Sequence, residues 1–321
     1  MNRFMLDAQQ ALGFLVSQTS HIEAQVLEVK YPDIQYPNLI PVDTSANEWA
    51  KSVTYYSMNK VGAAGWFHHY AKDIHVADAE RSKFEVGIEM ADIGYRWTLE
   101  ELGQAMMIPG LNLAADRAAA ARRAYEEFVD RIALTGDSAK GFTGIINRTD
   151  VTKTWAANGA LNAPDWDQKT GDEILTDIND ALTGVFTGSL TVELADTVLL
   201  PVAEHARIAT KRLDSNGSSQ TVLQFLQTAN VYTMQTGRPL TVRSVRGLEN
   251  AGENGAGRMV VYRRDPQVLK LHLPMSHRFM PVWQTSPLVF DVPGIFRLGG
   301  LEIRRPGAVR YVDGIVSSAY E

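Results

Sequence analysis

A glycine-rich stretch after a long helical pattern has some of the residue types of a phosphate-binding loop. Gly136 and Gly141 have the G-x-x-x-x-G spacing, and Thr143 occupies the position of the magnesium-binding hydroxyl. The position of the essential lysine holds Phe142, so no side chain would reach the β- and γ-phosphates. The motif also needs a strand before the loop, whereas this loop follows a helical pattern. The stretch therefore favours a helix C-terminus followed by a tight turn that glycine permits.

Histidines and an aspartate cluster in one short segment, which raises the question of a metal site. The four residues are His68, His69, Asp73 and His75. Adjacent residues on a strand point to opposite faces, so only one of His68 and His69 could join His75. No H-x-x-x-H pair or other recognised ligand spacing is present here, and His272 with His277 forms no better pair. We expect a solvated or interface loop and no metal.

Residues for serine or acid–base catalysis occur only in scattered positions. The chain has no G-x-S-x-G motif, and Asp196 and His205 have no motif around them. Asp172, Asp177 and Asp180 suit the first turns of a capped helix and need no catalytic role. The sequence therefore predicts no catalytic residue, no cofactor and no enzyme activity.

Composition narrows the class of protein further. The chain has 321 residues and no cysteine, which excludes disulfide scaffolds, cysteine zinc sites and thiol nucleophiles. No apolar run approaches the ~18 residues of a membrane span. The N-terminus lacks a signal-peptide pattern. We expect a soluble intracellular protein.

The formal charge of -6 is unevenly distributed. Residues 1–50 carry -4, residues 51–237 carry -7 and residues 238–321 carry +5. An acidic chain with one local basic excess is not a dedicated nucleic-acid binder. The pairs Arg263-Arg264 and Arg304-Arg305 lie in the basic part; they favour strand-edge solubility, and contact with phosphate or an acidic neighbour is the alternative.

Apolar residues have helical spacing at residues 5–27, and the segment that follows contains several prolines. Pro32, Pro37 and Pro41 alternate with aromatic and aliphatic residues. Proline at this density blocks a helix and favours extended geometry. We expect an arm lying across another part of the fold or across a neighbour.

Residues 52–97 have the pattern of a long β-hairpin. In the return strand, one face carries Phe84, Val86, Ile88 and Met90, and the other is polar, as in a strand with one wet face. The limbs enclose a long excursion with Trp66, Phe67 and Tyr70, whereas hairpin loops usually have about 2–5 residues. We expect this excursion to be a contact surface.

Helix and strand signals follow the hairpin. Thr98 with Glu101 and Thr170 with Glu173 form capping boxes. The strongest helical pattern, capped by Asn112, runs from Leu113 to Thr135. One stripe of this helix carries Ala114, Ala118, Ala121, Tyr125, Phe128 and Ile132, and the opposite face carries Asp116, Arg123, Glu127 and Asp130. Another helix is predicted at 220–228. Strands are predicted at 197–200, 240–245, 259–262, 268–273, 301–304 and 309–315.

This order of elements resembles that of tailed-bacteriophage major capsid proteins with the Hong Kong 97-type fold, over about Ser52 to Ile315. Several motifs are similar to those of the family. In chain order they are Gly62-x-Ala64-x-Trp66, Tyr70-Ala71-x-Asp73, Gly94-Tyr95, Glu101-Leu102, Gly136-Asp137, Gly144-Ile145-Ile146-Asn147, Arg305-Pro306, Ala308-Val309 and Tyr311-Val312-Asp313-Gly314-Ile315.

The resemblance implies an α+β fold with a defined division of the chain. It implies an N-terminal arm at 1–51, an extended hairpin (E-loop) at 52–97, a peripheral (P) domain at 98–169 with a spine helix at 113–135, an axial (A) domain at 170–290, and closing strands at 291–321 that return to the P domain. The E-loop contacts with another subunit would be made by Trp66, Phe67, Tyr70, Lys72 and Asp73. Spine-helix packing would involve Ala118, Ala121, Tyr125, Phe128 and Ile132. The turn after the helix would be formed by Gly136, Gly141 and Gly144.

By the same resemblance, the chain is expected to self-assemble as pentamers and hexamers of an icosahedral shell enclosing phage double-stranded DNA. It would be assembled in the host cytoplasm and end in the virion, with separate scaffold, decoration and portal proteins as possible partners. Contact with packaged DNA would be weak and non-specific, and no membrane would be involved. Lys72 has no identifiable cross-linking partner, so no isopeptide bond is predicted. The alternatives are an encapsulin-type bacterial compartment that loads enzyme cargo and, less favoured, a metal- or phosphate-dependent enzyme.

Overall fold

The computed structural model describes residues 33–61, 78–107, 113–213 and 219–317. The helices of these residues come from all parts of the chain. They are α1 Tyr36–Leu39, α2 Leu99–Met106, α3 Leu113–Leu134, α4 Gly171–Gly188, α5 Val202–Thr210, α6 Val222–Thr228 and α7 Val231–Thr236. The stretch at residues 5–27 and the predicted cap Asn112 lie outside the described residues.

Side-chain caps define where two of these helices begin. The hydroxyl of Thr98 accepts from the backbone N–H of Glu101 at 3.2 Å, and the Glu101 carboxylate accepts from the Thr98 N–H at 2.9 Å. Thr170 and Glu173 form the same reciprocal pair at the start of α4. Each pair satisfies two N–H groups that lack a partner inside the helix. Both predicted capping boxes are confirmed.

The strands connect distant parts of the chain. They are β1 Val42–Asp43, β2 Ser52–Val61, β3 Asp78–Asp92, β4 Tyr95–Thr98, β5 Gly136–Asp137, β6 Phe142–Thr143, β7 Thr152–Trp155, β8 Thr197–Leu200, β9 Thr241–Ser244, β10 Arg258–Tyr262, β11 Leu269–His272, β12 Met275–Phe279, β13 Trp283–Ser286, β14 Val289–Val292, β15 Gly294–Gly299, β16 Leu301–Ile303 and β17 Val309–Asp313. The predicted strands correspond to β8–β11, β16 and β17, with ends that differ by at most two residues.

The strands form several sheets rather than one. A five-stranded sheet has the order β7-β17-β10-β8-β9, and a four-stranded sheet has the order β12-β15-β3-β2. Three-stranded sheets have the orders β13-β14-β4 and β1-β11-β16, and β5 pairs with β6. Strand β3 pairs with β15, and β4 pairs with β14. The root of the long hairpin and the C-terminal part of the chain therefore share the same sheets.

Two hydrophobic cores lie on opposite faces of the five-stranded sheet. The central strand β10 shows this by alternation: Val260 and Tyr262 belong to the core that contains α3, and Met259 and Val261 belong to the core that contains α4. Successive side chains of a strand point to opposite faces. A strand buried on both faces reads as a continuous apolar run, as Met259 to Tyr262 does.

Helix α3 packs on the first core mainly through its C-terminal half. Ala121, Tyr125 and Ile132 are buried, and Ala118 and Phe128 are half-buried. The expectation that Asp130 faces solvent is wrong: its side chain is buried, and its Oδ1 accepts from the backbone N–H groups of Gln35 at 2.9 Å and Tyr36 at 2.7 Å. Asp130 therefore caps the start of α1 from another element.

The described part of the proline-rich segment lies on its own chain. Tyr36, Leu39 and Ile40 are buried in the first core, and β1 pairs in parallel with β11. The expectation of purely extended geometry is wrong at α1. Pro37 lies in the first turn of this helix, where its missing N–H costs no hydrogen bond.

The sequence-based prediction missed four strands near the C-terminus. Residues 275–299 form β12 to β15, which pair with one another and with β3 and β4. The proposed domain boundary between residues 290 and 291 falls inside β14. It needs correction, because a boundary within a strand would separate residues that share one hydrogen-bonded ladder.

Candidate functional site

A long two-stranded ribbon is the most distinctive surface feature of the described fold. Strands β2 and β3 pair without interruption from Ser52 opposite Gly87 to Val61 opposite Asp78. Beyond Gly87, β3 continues into the four-stranded sheet by pairing with β15. The ribbon is therefore rooted in a sheet and extends from it as an isolated pair of strands.

Most of this ribbon is exposed on both faces. Tyr56 is 69% exposed and Phe84 is 47% exposed, and Met58 and Met90 are also exposed. The expected strand with one buried face is therefore wrong for the distal ribbon: of the four alternating apolar residues only Ile88, near the root, is buried. Exposed bulky apolar groups of this kind mark interaction surfaces.

The root of the ribbon is held by aromatic and cationic contacts. The rings of Tyr55 and Phe84, from opposite strands, stack with centroids 5.1 Å apart. The guanidinium of Arg304 lies 4.8 Å from the centroid of the Tyr55 ring. A cation over an aromatic face is attracted by the quadrupole of the ring. Arg304 therefore couples the ribbon to the strand end after β16.

A buried network of charges positions Arg304. Its Nε donates to Glu302 Oε1 at 2.8 Å, and His272 Nε2 lies 2.6 Å from Glu302 Oε2. His272 and Glu302 are almost completely buried. Burial raises the pKa of Glu302, but the hydrogen bonds from His272 and Arg304 outweigh it and leave that pKa below its ordinary value.

The same network reaches the N-terminal segment. Lys270 pairs with Asp43 of β1, and His272 Nδ1 lies 3.7 Å from Asp43 Oδ2. Burial raises the pKa of Asp43, but hydrogen bonds from Lys270 and Ser45 outweigh it and lower that pKa. Residues from β1, β11, β16 and the ribbon root thus form one connected group.

A second exposed apolar surface lies on the three-stranded sheet β13-β14-β4. Met280, Val282, Trp283 and Leu288 are exposed around β13 and its turn. Arg96 of β4 forms a bidentate ion pair with Asp291 of β14, at 2.5 and 3.1 Å, on the face that also carries Trp283, because the three residues are directly opposite one another in register. This pair links β4 to β14 next to Trp283.

The predicted contact residues at the hairpin tip cannot be placed. Trp66, Phe67, Tyr70, Lys72 and Asp73 lie outside the described residues, as do His68, His69 and His75. Their role in contact with another subunit stays a prediction.

The glycine turn after α3 is a small hairpin made by β5 and β6. Gly136 and Gly141 have φ values of +74° and +71°, which glycine adopts without strain. A Cβ on Gly144 would lie 2.0 Å from the carbonyl oxygen of Leu134. The loop is followed by strand β6 and not by a helix, so it lacks the context of a phosphate-binding loop.

The arginine pairs have acidic partners within the same chain. Arg263 and Arg305 bind the two carboxylate oxygens of Glu193, at 2.9 and 2.5 Å. Glu193 is buried, and sequence reasoning did not single it out. No local pattern could have revealed it, since its partners come from distant segments.

The described residues contain neither a cluster of candidate metal ligands nor a helix that could span a membrane. Among them, no group of three or more histidine, aspartate or glutamate side chains could hold a metal ion. In the same part of the chain, no helix is long and apolar enough to cross a membrane.

Comparison with known proteins gives a consistent result. The family model described as Major capsid protein matches residues 62–315. No curated protein sequence matches the chain. The solved capsid of Myoviridae Phage XM1 is similar in structure, with a TM-score of 0.77 and 20% identity over 93% of this chain and 97% of that chain.

Other solved structures are similar at still lower identity. Microbacterium phage Oxtober96 gives a TM-score of 0.64 with 9% identity, over 96% of this chain and 98% of that chain. The capsid of a native GTA particle gives 0.62 with 11% identity, over 95% of this chain and 97% of that chain. Such likeness shows a common fold.

Proposed function

Because this chain belongs to the major capsid protein family, we propose that its copies assemble through the β2–β3 ribbon into pentamers and hexamers of an icosahedral shell around phage double-stranded DNA. The family makes the chain a structural protein of the virion that self-assembles, and not an enzyme. The encapsulin alternative gains no support from the comparisons.

The exposed ribbon is the observation that carries this proposal. A two-stranded hairpin alone in water is at best marginally stable. Here two strands are paired over ten residues each, with Tyr56, Met58 and Phe84 in solvent. Covering these side chains with another subunit would remove apolar surface from water and satisfy the open strand edges. The ribbon thus has the properties of an element completed by assembly.

The roles of individual segments are proposed on the same basis. The ribbon with its tip is the E-loop, and Trp66, Phe67, Tyr70, Lys72 and Asp73 at the tip contact a neighbouring subunit. Helix α3 is the spine of the P domain, and Gly136, Gly141 and Gly144 close the turn after it. The A domain begins near residue 170 and ends before β12.

The charge of the chain suits a container for DNA rather than a DNA-binding protein. The formal charge is -6. In the basic part of the chain, Arg263 and Arg305 share Glu193, and Arg263 also pairs with Asp265. An acidic wall would make only weak, non-specific contacts with a polyanion. We also propose assembly in the host cytoplasm, with separate scaffold, decoration and portal proteins.

Negative-stain electron microscopy and sedimentation of the purified chain test this function. We expect closed shells, or rings of five and six copies, across a range of salt and protein concentrations. A chain that stays a monomer under all these conditions, alone and with a co-expressed scaffold, would contradict the proposal.

A further inference from the structure

Within the described residues, an open sheet edge next to exposed apolar side chains lies at one end of the three-stranded sheet β13-β14-β4. β13 is the terminal strand there, and all four of its residues are exposed. The exposed large apolar residues in and next to β13 are Met280, Val282, Trp283 and Leu288. On a monomer, such an edge would promote aggregation.

Strand β13 lacks two common devices that protect edges. Its sequence, Trp283 to Ser286, contains neither a charged residue nor a proline. An irregularity in pairing lies between Gln284 and Ser286, next to the turn, while Trp283 and Gln284 stay in register with Asp291 and Phe290. The outer side of this strand therefore remains able to accept another strand.

The ribbon offers a second open edge of matching character. β2 is the terminal strand of its sheet. Its proximal part carries Tyr55, whose ring stacks on Phe84 and lies under the guanidinium of Arg304. Its distal half, residues 56–60, is exposed throughout and presents Tyr56 and Met58. At about 3.3 Å per residue, four paired residues of β13 would span about 13 Å of this half.

We propose that the outer edge of β13 in one copy receives the distal half of β2 from a neighbouring copy as an added strand. This inference rests on the proposed assembly and names the surface that receives the ribbon. The occupant is a second copy because self-assembly requires one and because both edges occur once in every chain. Two different edges form a heterologous contact, which passes from copy to copy until a ring closes.

The chemistry of the two edges agrees with this pairing. Strand addition satisfies the unpaired N–H and C=O groups of both edges, and the side chains beside them add specificity. The four residues of β13 are uncharged, and the distal half of β2 carries a single charge on Lys60. No like charges therefore oppose each other across the added ladder, and Trp283 can meet Tyr56 or Met58.

Engineered cysteines test the contact, because the chain has no cysteine of its own. We would combine Gln284→Cys with Ser57→Cys or Asn59→Cys in two separate full-length double variants, because Gln284 lies on the same face of the added ladder as these two residues when Trp283 meets Tyr56 or Met58. Assembled particles would be oxidised and run on non-reducing gels. We expect at least one of the two pairs to give a reducible ladder of linked chains, and the single variants to give none.

The outcomes separate the contact from the assembly itself. Shells without a ladder in either double variant would overturn the inference and leave the proposed function intact. Linked dimers from Gln284→Cys alone would also overturn it, because they would mean that two β13 edges meet. Failure of the unmodified chain to form any shell would instead count against the proposed function.

A matched pair of substitutions at the same position gives a second readout. Gln284→Lys places a charge at the edge, whereas Gln284→Thr keeps a neutral residue that favours strands. Both lose the hydrogen bond from Gln284 Nε2 to the Pro287 carbonyl, 3.0 Å. We expect Gln284→Lys to raise the concentration needed for assembly at least tenfold and Gln284→Thr to leave it within twofold, with both monomers folded by circular dichroism. Equal effects of the two variants would contradict strand addition at this edge.

Discussion

Removal of the Arg304 side chain should destabilise the subunit far more than removal of an exposed arginine. In Arg304→Ala, Glu302 would keep its hydrogen bond with His272 but lose the one from Arg304 Nε at 2.8 Å. The Glu302 side chain is only 1% exposed, so water cannot readily replace the lost donor. Tyr55 would also lose the cation above its ring.

The expected cost follows from these two contacts. A hydrogen bond to a buried charged group contributes about 1.5–3 kcal/mol. The cation–π contact contributes about 0.5–1 kcal/mol at a partly exposed site. We therefore expect Arg304→Ala to lower the free energy of unfolding by roughly 2–4 kcal/mol, measured by urea titration at pH 7.

The control for Arg304→Ala is Arg96→Ala. Arg96 also forms a bidentate ion pair, with the carboxylate of Asp291, but the Arg96 side chain is 69% exposed. Exposed pairs contribute about 0–1 kcal/mol, so the control should stay within that range. If the two variants lost the same free energy to within about 0.5 kcal/mol, the account of a buried network would be refuted.

The Arg304 variant should also change the response to acid. The pKa of Glu302 is lowered in the folded chain, so Glu302 stabilises the fold above its unfolded pKa of about 4.3. This stability is lost as the pH falls through the folded pKa. Without Arg304 the folded pKa rises, so the midpoint of acid unfolding should move to higher pH. An unchanged midpoint would contradict this reasoning.

Three further substitutions test the fold and the ribbon. Asp130→Ala leaves the backbone N–H groups of Gln35 and Tyr36 without an acceptor and should lower the free energy of unfolding by about 1–3 kcal/mol for each group. Asp130→Asn keeps an accepting oxygen and should lower it less. Thermal unfolding at matched protein concentration compares the two variants. Gly144→Ala places a Cβ 2.0 Å from a backbone oxygen and should prevent recovery of soluble folded protein, and normal yield and melting would contradict the tight turn. Tyr56→Ser should change the free energy of unfolding of the subunit by less than about 0.5 kcal/mol, because Tyr56 is exposed, yet it should weaken assembly measured by light scattering. Unchanged assembly would count against the ribbon as a contact between subunits.

Features set by neighbouring residues were predictable from the sequence. The capping boxes at Thr98 and Thr170 depend on a hydroxyl and a carboxylate three residues apart, and both are present. Helix α3 follows from its periodicity, and it ends at Leu134, one residue before the predicted end. Local rules also excluded a phosphate-binding loop, because Phe142 stands in place of the lysine.

Features set by distant partners were not predictable. Asp130 lies on a polar helical position, but the backbone of α1 docks there and buries it. Strands β12 to β15 are short and separated by prolines, so they resemble turns until β3 and β4 supply their partners. The same limit applies to the candidate site. Alternation predicted β3, but it could not tell whether a face is buried by the chain itself or left for another subunit.

Hydrogen exchange of the ribbon, in shells and in dissociated subunits, tests the central claim most directly. The outward-facing backbone N–H groups of residues 56–60 and of β13, which point away from the partner strand, should exchange rapidly in the subunit. In shells, we predict strong slowing in these two segments and little change in β10, which is central and fully buried in either state. Equal exchange of residues 56–60 in both states would contradict an account in which neighbouring copies complete the ribbon.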